Sequence, residues 1–210
     1  MKPPTTSRAG KRLRPALAVV AAAAGLASVL PLAGTASAAP SFGDHPQFGG
    51  YAHRTVTTAD GRTFDLRLAA DKTFLPASGG TIKVKGAGYN RAQGIFLAFC
   101  AIPEGVHAGD PKTYKSLPGP CLPGRETKDG SSRWITDTGT GTPEITFPYK
   151  EGGKFRTTLE NLRPEIKDGV VCDVTVRCAI VTRADFTATN ERLYDQYIPV
   201  HFAPAADGDR

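Results

Sequence analysis

After residue 40 the chain never runs far without a turn residue. TVTTADGRTFDLRL, SGGTIKVKGAGYN, GIFLAFCAI, SSRWITD, EITFPY, KFRTTLENL, VCDVTVRCAIVTRADF and QYIPVHF are rich in Val, Ile, Thr, Phe and Tyr, and Gly, Pro, Asp and Asn separate them. Such spacing leaves room for short strands and none for a long amphipathic helix. About seven or eight strands over roughly 140 residues predict an all-β fold: an Ig-like antiparallel β-sandwich with disulfide-stapled loops.

Local patterns support individual strands. Asp60 and Gly61 form a DG turn, and Phe64, Leu66 and Leu68 alternate behind it, which is the signature of a hairpin. Ile82 and Val84 alternate with Lys83 and Lys85, so one face of that strand meets water. GIFLAFCAI is nearly continuous apolar sequence and suits a strand buried on both faces at the centre of the core. The Gly- and Pro-rich segment from Pro40 to Arg54 lacks periodicity and reads as a mobile arm. The expected organisation is a signal peptide over 1–38, a mobile N-terminal arm and hairpin start over 39–65, the sandwich over 66–203, and a disordered tail over 204–210.

The leader follows from its charge and composition. Lys2, Arg8, Lys11, Arg12 and Arg14 precede the apolar run ALAVVAAAAGLASVL, and Ala36, Ser37 and Ala38 offer a small-x-small site, so cleavage is expected after Ala38. Gly25, Ser28 and Pro31 interrupt the run, which favours a secretion signal over a membrane anchor. Cleavage removes five of 26 basic residues and none of the 20 acidic ones, leaving a net charge of about +1. That balance gives no footprint for nucleic acid or a membrane surface. The expectation is an extracellular monomer without a membrane anchor.

Cys100, Cys121, Cys172 and Cys178 make an even number in an exported chain, and their spacing lacks the paired CxxC or Cys/His pattern of a zinc site. Two disulfides are expected. Three connectivities are open, with the local pairs Cys100–Cys121 and Cys172–Cys178 preferred. In a straight strand Cys172 and Cys178 would lie about 20 Å apart, so bonding them requires DVTVR to reverse direction as a short stapled loop.

The inventory for catalysis is thin. GxSxG, HExxH, GxxxxGK and EF-hand patterns are missing, and no metal or cofactor set is recognisable. Arg183 with Asp185, Glu191 with Arg192, and Asp195 form a charged cluster that reads as a recognition loop or as surface ion pairs. Trp134, the lone tryptophan, reads as a packed edge residue or a ligand platform. Tyr51, His53, Tyr114, Tyr149, Tyr194 and Tyr197 are residue types that can ligate haem, without a motif that selects among them. The proline-rich loop over 103–130 is long enough to suggest a partner surface.

The run TIKVKGAGYNRAQGIFLAFCAI, the pair CDVTVRCAIVTRADF and the segment QYIPVHF resemble, in that order, the neocarzinostatin-like apoproteins of actinobacteria. The likeness spans about residues 66 to 203. GIFLAFCAIP, GPCL, SSRWI, CAIVTRADFTA and DQYIPVHF are similar to secreted actinobacterial proteins that accompany HtaA-type haem-uptake surface proteins. The resemblance implies an exported Ig-like binding module and raises haem uptake or an enediyne-type carrier as its setting. Ile102 stands at a position that is an aromatic cleft residue in the apoprotein family. Other cleft positions fall near Ala179 and Arg183, without that family's polar pattern.

These readings lead to a secreted, non-catalytic module that recognises a cell-surface partner or a small apolar ligand. Its expected cleft lies between the 103–130 and 183–196 loops, with Ile102, Trp134, Arg183, Asp185 and Tyr194 as ligand-binding residues. The alternatives are an antibiotic apoprotein and a secreted hydrolase using carboxylates such as Asp185 and Asp195.

Overall fold

The computed structural model describes residues 49–204. The expected signal peptide, the arm up to residue 48 and the tail from 205 onward lie outside the described residues. Two sheets pack face to face, as the expected Ig-like sandwich requires. One has the order β1 (Gly50–Thr57), β2 (Thr63–Ala70), β4 (Gly80–Ala87), β8 (Phe155–Leu162). The other runs β3 (Phe74–Leu75), β12 (Gln196–Phe202), β11 (Cys178–Ala184), β5 (Ile95–Ala101), β6 (Ser132–Ile135), β7 (Thr146–Phe147). A two-stranded ribbon joins β9 (Glu165–Lys167) to β10 (Val170–Val171). All pairings among these strands are antiparallel except β3–β12 and β6–β7, short parallel pairs at opposite edges of the six-stranded sheet.

Alternation sets the faces. Leu66, Leu68, Ile82, Val84 and Leu159 point inward from the first sheet, while Ile95, Leu97, Phe99, Ile180, Ile198 and Val200 meet them from the second. Each such side chain contributes roughly 1.5–3 kcal/mol through burial. The central strand is β5, as its apolar run predicts, because its other face is also covered. Ile102, Val106 and Tyr114 fold over Cys100, Ala179, Val181 and Tyr197 as a second apolar cluster on the outer face.

One expectation changes. Residues 50–54 are not a loose arm: they form the first part of β1, paired with β2 from Gly50↔Ala70 to Thr57↔Thr63. The strand hides from pattern reading because Gly50, Ala52 and Arg54 carry no large apolar group, and Val56 is its one fully buried residue. The long loop is partly packed against the sheet. It carries a 3-10 turn at Pro111–Thr113 and the short helix α1 (Gly124–Thr127), and its first half supplies the cover for the outer sheet face.

Disulfides join Cys100 to Cys121 and Cys172 to Cys178, the two local pairs. Cys172 and Cys178 lie 5.5 Å apart at Cα, so the chain does reverse between them. The amides of Thr175 and Val176 donate to the Val171 carbonyl, and Asp173 takes a left-handed conformation to make the bend.

Candidate functional site

Cross-strand register assembles the site on the outer face of the six-stranded sheet. Phe96 on β5 pairs with Trp134 on β6 and with Arg183 on β11, placing the three side by side. The β11–β12 register, Val181↔Tyr197, extended by one step on the same face, brings Asp195 beside Arg183. One row therefore reads Trp134, Phe96, Arg183, Asp195. Side chains opposite one another on a shared face are within direct reach.

Two glycines hold Trp134 in place. Its indole Nε1 donates to Asp185 Oδ2 at 2.9 Å. A Cβ at Gly94 would lie 2.1 Å from that carboxylate oxygen and 3.0 Å from the indole nitrogen, so no side chain fits there. A Cβ at Gly141 would press on the other edge of the indole at 2.7 Å, and Gly141 adopts φ +105°, which also favours glycine.

Asp185 does not present its carboxylate to a ligand. It is 1% exposed and accepts hydrogen bonds from Trp134 Nε1, Gln93 Nε2, the Thr187 amide and the Thr187 hydroxyl. It caps the 3-10 turn Phe186–Ala188 and ties that turn to β6. Replacing Asp185 would strand buried donors, so it cannot serve as a clean probe of binding.

The cap aims Phe186 over the row. Phe186 is 62% exposed, and its ring centroid lies 5.1 Å from that of Trp134 and 6.3 Å from that of Phe96. The guanidinium of Arg183 sits 5.0 Å over the Phe96 ring, and Arg125 of α1 reaches the same ring at 5.9 Å. Burial lowers the Arg183 pKa, and the neighbouring Arg192 lowers it further. The 103–130 loop and the 185–195 loop thus both reach Phe96, one through Arg125 and the other through Phe186.

The expected site residues separate by position. Trp134, Arg183 and Asp185 come together at one end of the outer face. Ile102 shares that face but belongs to the apolar cluster beneath Val106 and Tyr114. Tyr194 points the other way, into the main core, where Asn90 Nδ2 donates to its hydroxyl at 3.1 Å. Phe96, Phe186 and Arg125 are the members that sequence reasoning missed. Phe96 was findable, since in IFLAFCA it shares parity with Ala98 and Cys100, opposite to the core set Ile95, Leu97 and Phe99.

Of the haem-ligating residue types, Tyr51, His53, Tyr114 and Tyr197 border one cleft of about 220 Å³. Tyr149 and Tyr194 are buried in the core instead, where Tyr149 donates to the Gln93 carbonyl at 3.0 Å. The cleft is smaller than the roughly 300–1,000 Å³ of sites that enclose drug-sized ligands, so it does not fit an enclosed macrocycle.

No family model matches the chain, and no curated protein matches it. Among solved structures the chain is similar to macromomycin, with 18% identity and a TM-score of 0.41, over 66% of this chain and 99% of that one. The functional reading therefore rests on the geometry above.

Proposed function

We propose that this chain is a secreted, non-catalytic binding module that takes a small planar apolar ligand on the outer face of its six-stranded sheet. One observation carries the reading: Phe186, an exposed ring on a capped turn, packs at a tilt against Trp134 and Phe96, and two arginines lie over the Phe96 ring. Phe186 offers an exposed flat face to a flat ligand, and the buried rings of Trp134 and Phe96 back it. Two disulfides that pair all four cysteines favour an oxidising compartment and an exported chain. An enediyne-type carrier differs from this reading only in the ligand, and a cell-surface protein would use the same exposed ring as its contact. The hydrolase alternative loses its first acid, because every donor around Asp185 is structural.

The test is native purification from culture medium, followed by mass spectrometry of what the protein carries. A planar apolar compound should accompany the wild type and be lost from Phe186→Ala, which removes an exposed ring and keeps the fold. Equal loading of the two proteins would refute this site. Haem on both, recognisable by its absorbance, would assign the ligand to other residues.

A further inference from the structure

A cleft lies at the seam between the sheets. At one corner β1 passes close to β12, so close that a Cβ on Gly50 would lie 2.4 Å from Ile198 Cγ2. β12 has Pro199 here, which offers no amide to extend the ladder. The loop segment Ala108–Tyr114 roofs the gap and leaves the cleft of about 220 Å³.

Its walls combine flat apolar surface with unused donors. Tyr51, Tyr114, Pro111 and Pro199 provide the flat surface. Arg54 reaches in from β1, with its guanidinium 5.5 Å from the Tyr114 ring centroid. Its Nη1 donates to the carbonyls of Arg192 and Asp195, leaving Nε and Nη2 without a hydrogen bond among the described residues. Tyr197 also lines the cleft. It is 1% exposed, and its hydroxyl has no partner among the described residues. A buried hydroxyl left unpaired costs about 1–3 kcal/mol, which a ligand oxygen accepting from it would relieve. No aspartate or glutamate is among the described residues that line the cleft.

We infer that this cleft binds a small planar carboxylate, of about one ring, whose ring lies among Tyr51, Tyr114 and the prolines and whose oxygens accept from Arg54 and Tyr197. The volume suits one ring and is too small for a larger ligand. Guanidinium and phenol donors select an acceptor, and Asp195, which interacts electrostatically with both Arg54 and Tyr197, lies outside the cleft lining. The site is separate from the Phe186 face and does not depend on it.

The probe is benzoate, with benzamide as its uncharged counterpart, measured by calorimetry and by amide shifts in NMR. Benzoate should bind the wild type, move signals in residues 51–54, 108–114 and 196–199, and exceed benzamide by about tenfold or more. Tyr197→Phe should lose about tenfold in benzoate affinity while its melting temperature stays equal or rises, because the lost hydroxyl had no partner. Phe186→Ala should bind benzoate as the wild type does, which separates this site from the proposed planar-ligand face. Absence of benzoate binding at millimolar concentration, equal affinity for benzamide, or undiminished binding by Tyr197→Phe would each overturn the inference.

Discussion

Asp195 shows how far local charge pattern and actual environment can diverge at the scale of a residue. In sequence Arg183, Asp185, Glu191, Arg192 and Asp195 form one charged stretch. In the fold the stretch divides: Asp185 is consumed by Trp134, Gln93 and Thr187, while Asp195 sinks to 0% exposure beside Arg192 at 3.0 Å. Burial pushes the Asp195 pKa up to about 7, against the opposing pull of Arg192, Arg54 and Arg183, and its Oδ1 has no partner among the described residues. The charges were legible, but their depth was not, because depth depends on the β11–β12 register. Between the unfolded value of 3.8 and about 7 the folded state holds the proton more tightly than the unfolded state, so this group stabilises at low pH. Its contribution falls as pH rises through that window, by about 1.4 kcal/mol for each pH unit. Asp60, Asp65 and Asp129 have lowered pKa values and act in the opposite sense, losing stability only below their unfolded range. Urea unfolding from pH 4.5 to 7.5 should therefore show a declining midpoint in the wild type and a flatter profile in Asp195→Asn. Parallel profiles would mean that Asp195 titrates near its unfolded value.

Among the elements, the 102–122 loop and β1 were the hardest to read, for different reasons. Its prolines mark it as a loop, but nothing local announces that Val106 and Tyr114 will cover Ala179 and Val181, which lie far along the chain. β1 was obscured by small and polar residues at its inward positions, so its partner β2 defines it more than its own composition does. The stapled turn at Cys172–Cys178 was legible because bond geometry leaves no alternative to a reversal. The loop's attachment can be tested through its other staple, which closes a separation of 21 residues. Replacing Cys100 and Cys121 together with alanine should cost roughly 3 kcal/mol. The accompanying sign is local: amide exchange should accelerate across residues 103–120 while β2, β4 and β8 keep their protection. Uniform acceleration over both sheets would show that the loop and the sandwich open as one unit.

For the whole molecule, the two-sheet architecture was legible because β2 and β4 carry their inward residues in alternation, the unbroken apolar run of β5 marks a strand buried on both faces, and turn residues mark the reversals. Where the sandwich begins was not legible. A boundary near residue 66 cuts through β2 and discards the strand that closes the seam, since β1 pairs along its full length with β2 and packs Gly50 against Ile198 of the opposite sheet. Removing β1 would leave β2 as a bare edge, uncover Leu66 and Leu68 from that side, and offer unpaired backbone groups to other chains. A chain covering 49–204 should fold cooperatively on its own, with both disulfides formed and a single urea transition. A chain covering 58–204 should lack that transition and aggregate. If the shorter chain unfolds with the same midpoint as the longer one, β1 is an accessory strand and the seam with its cleft is dispensable to the fold.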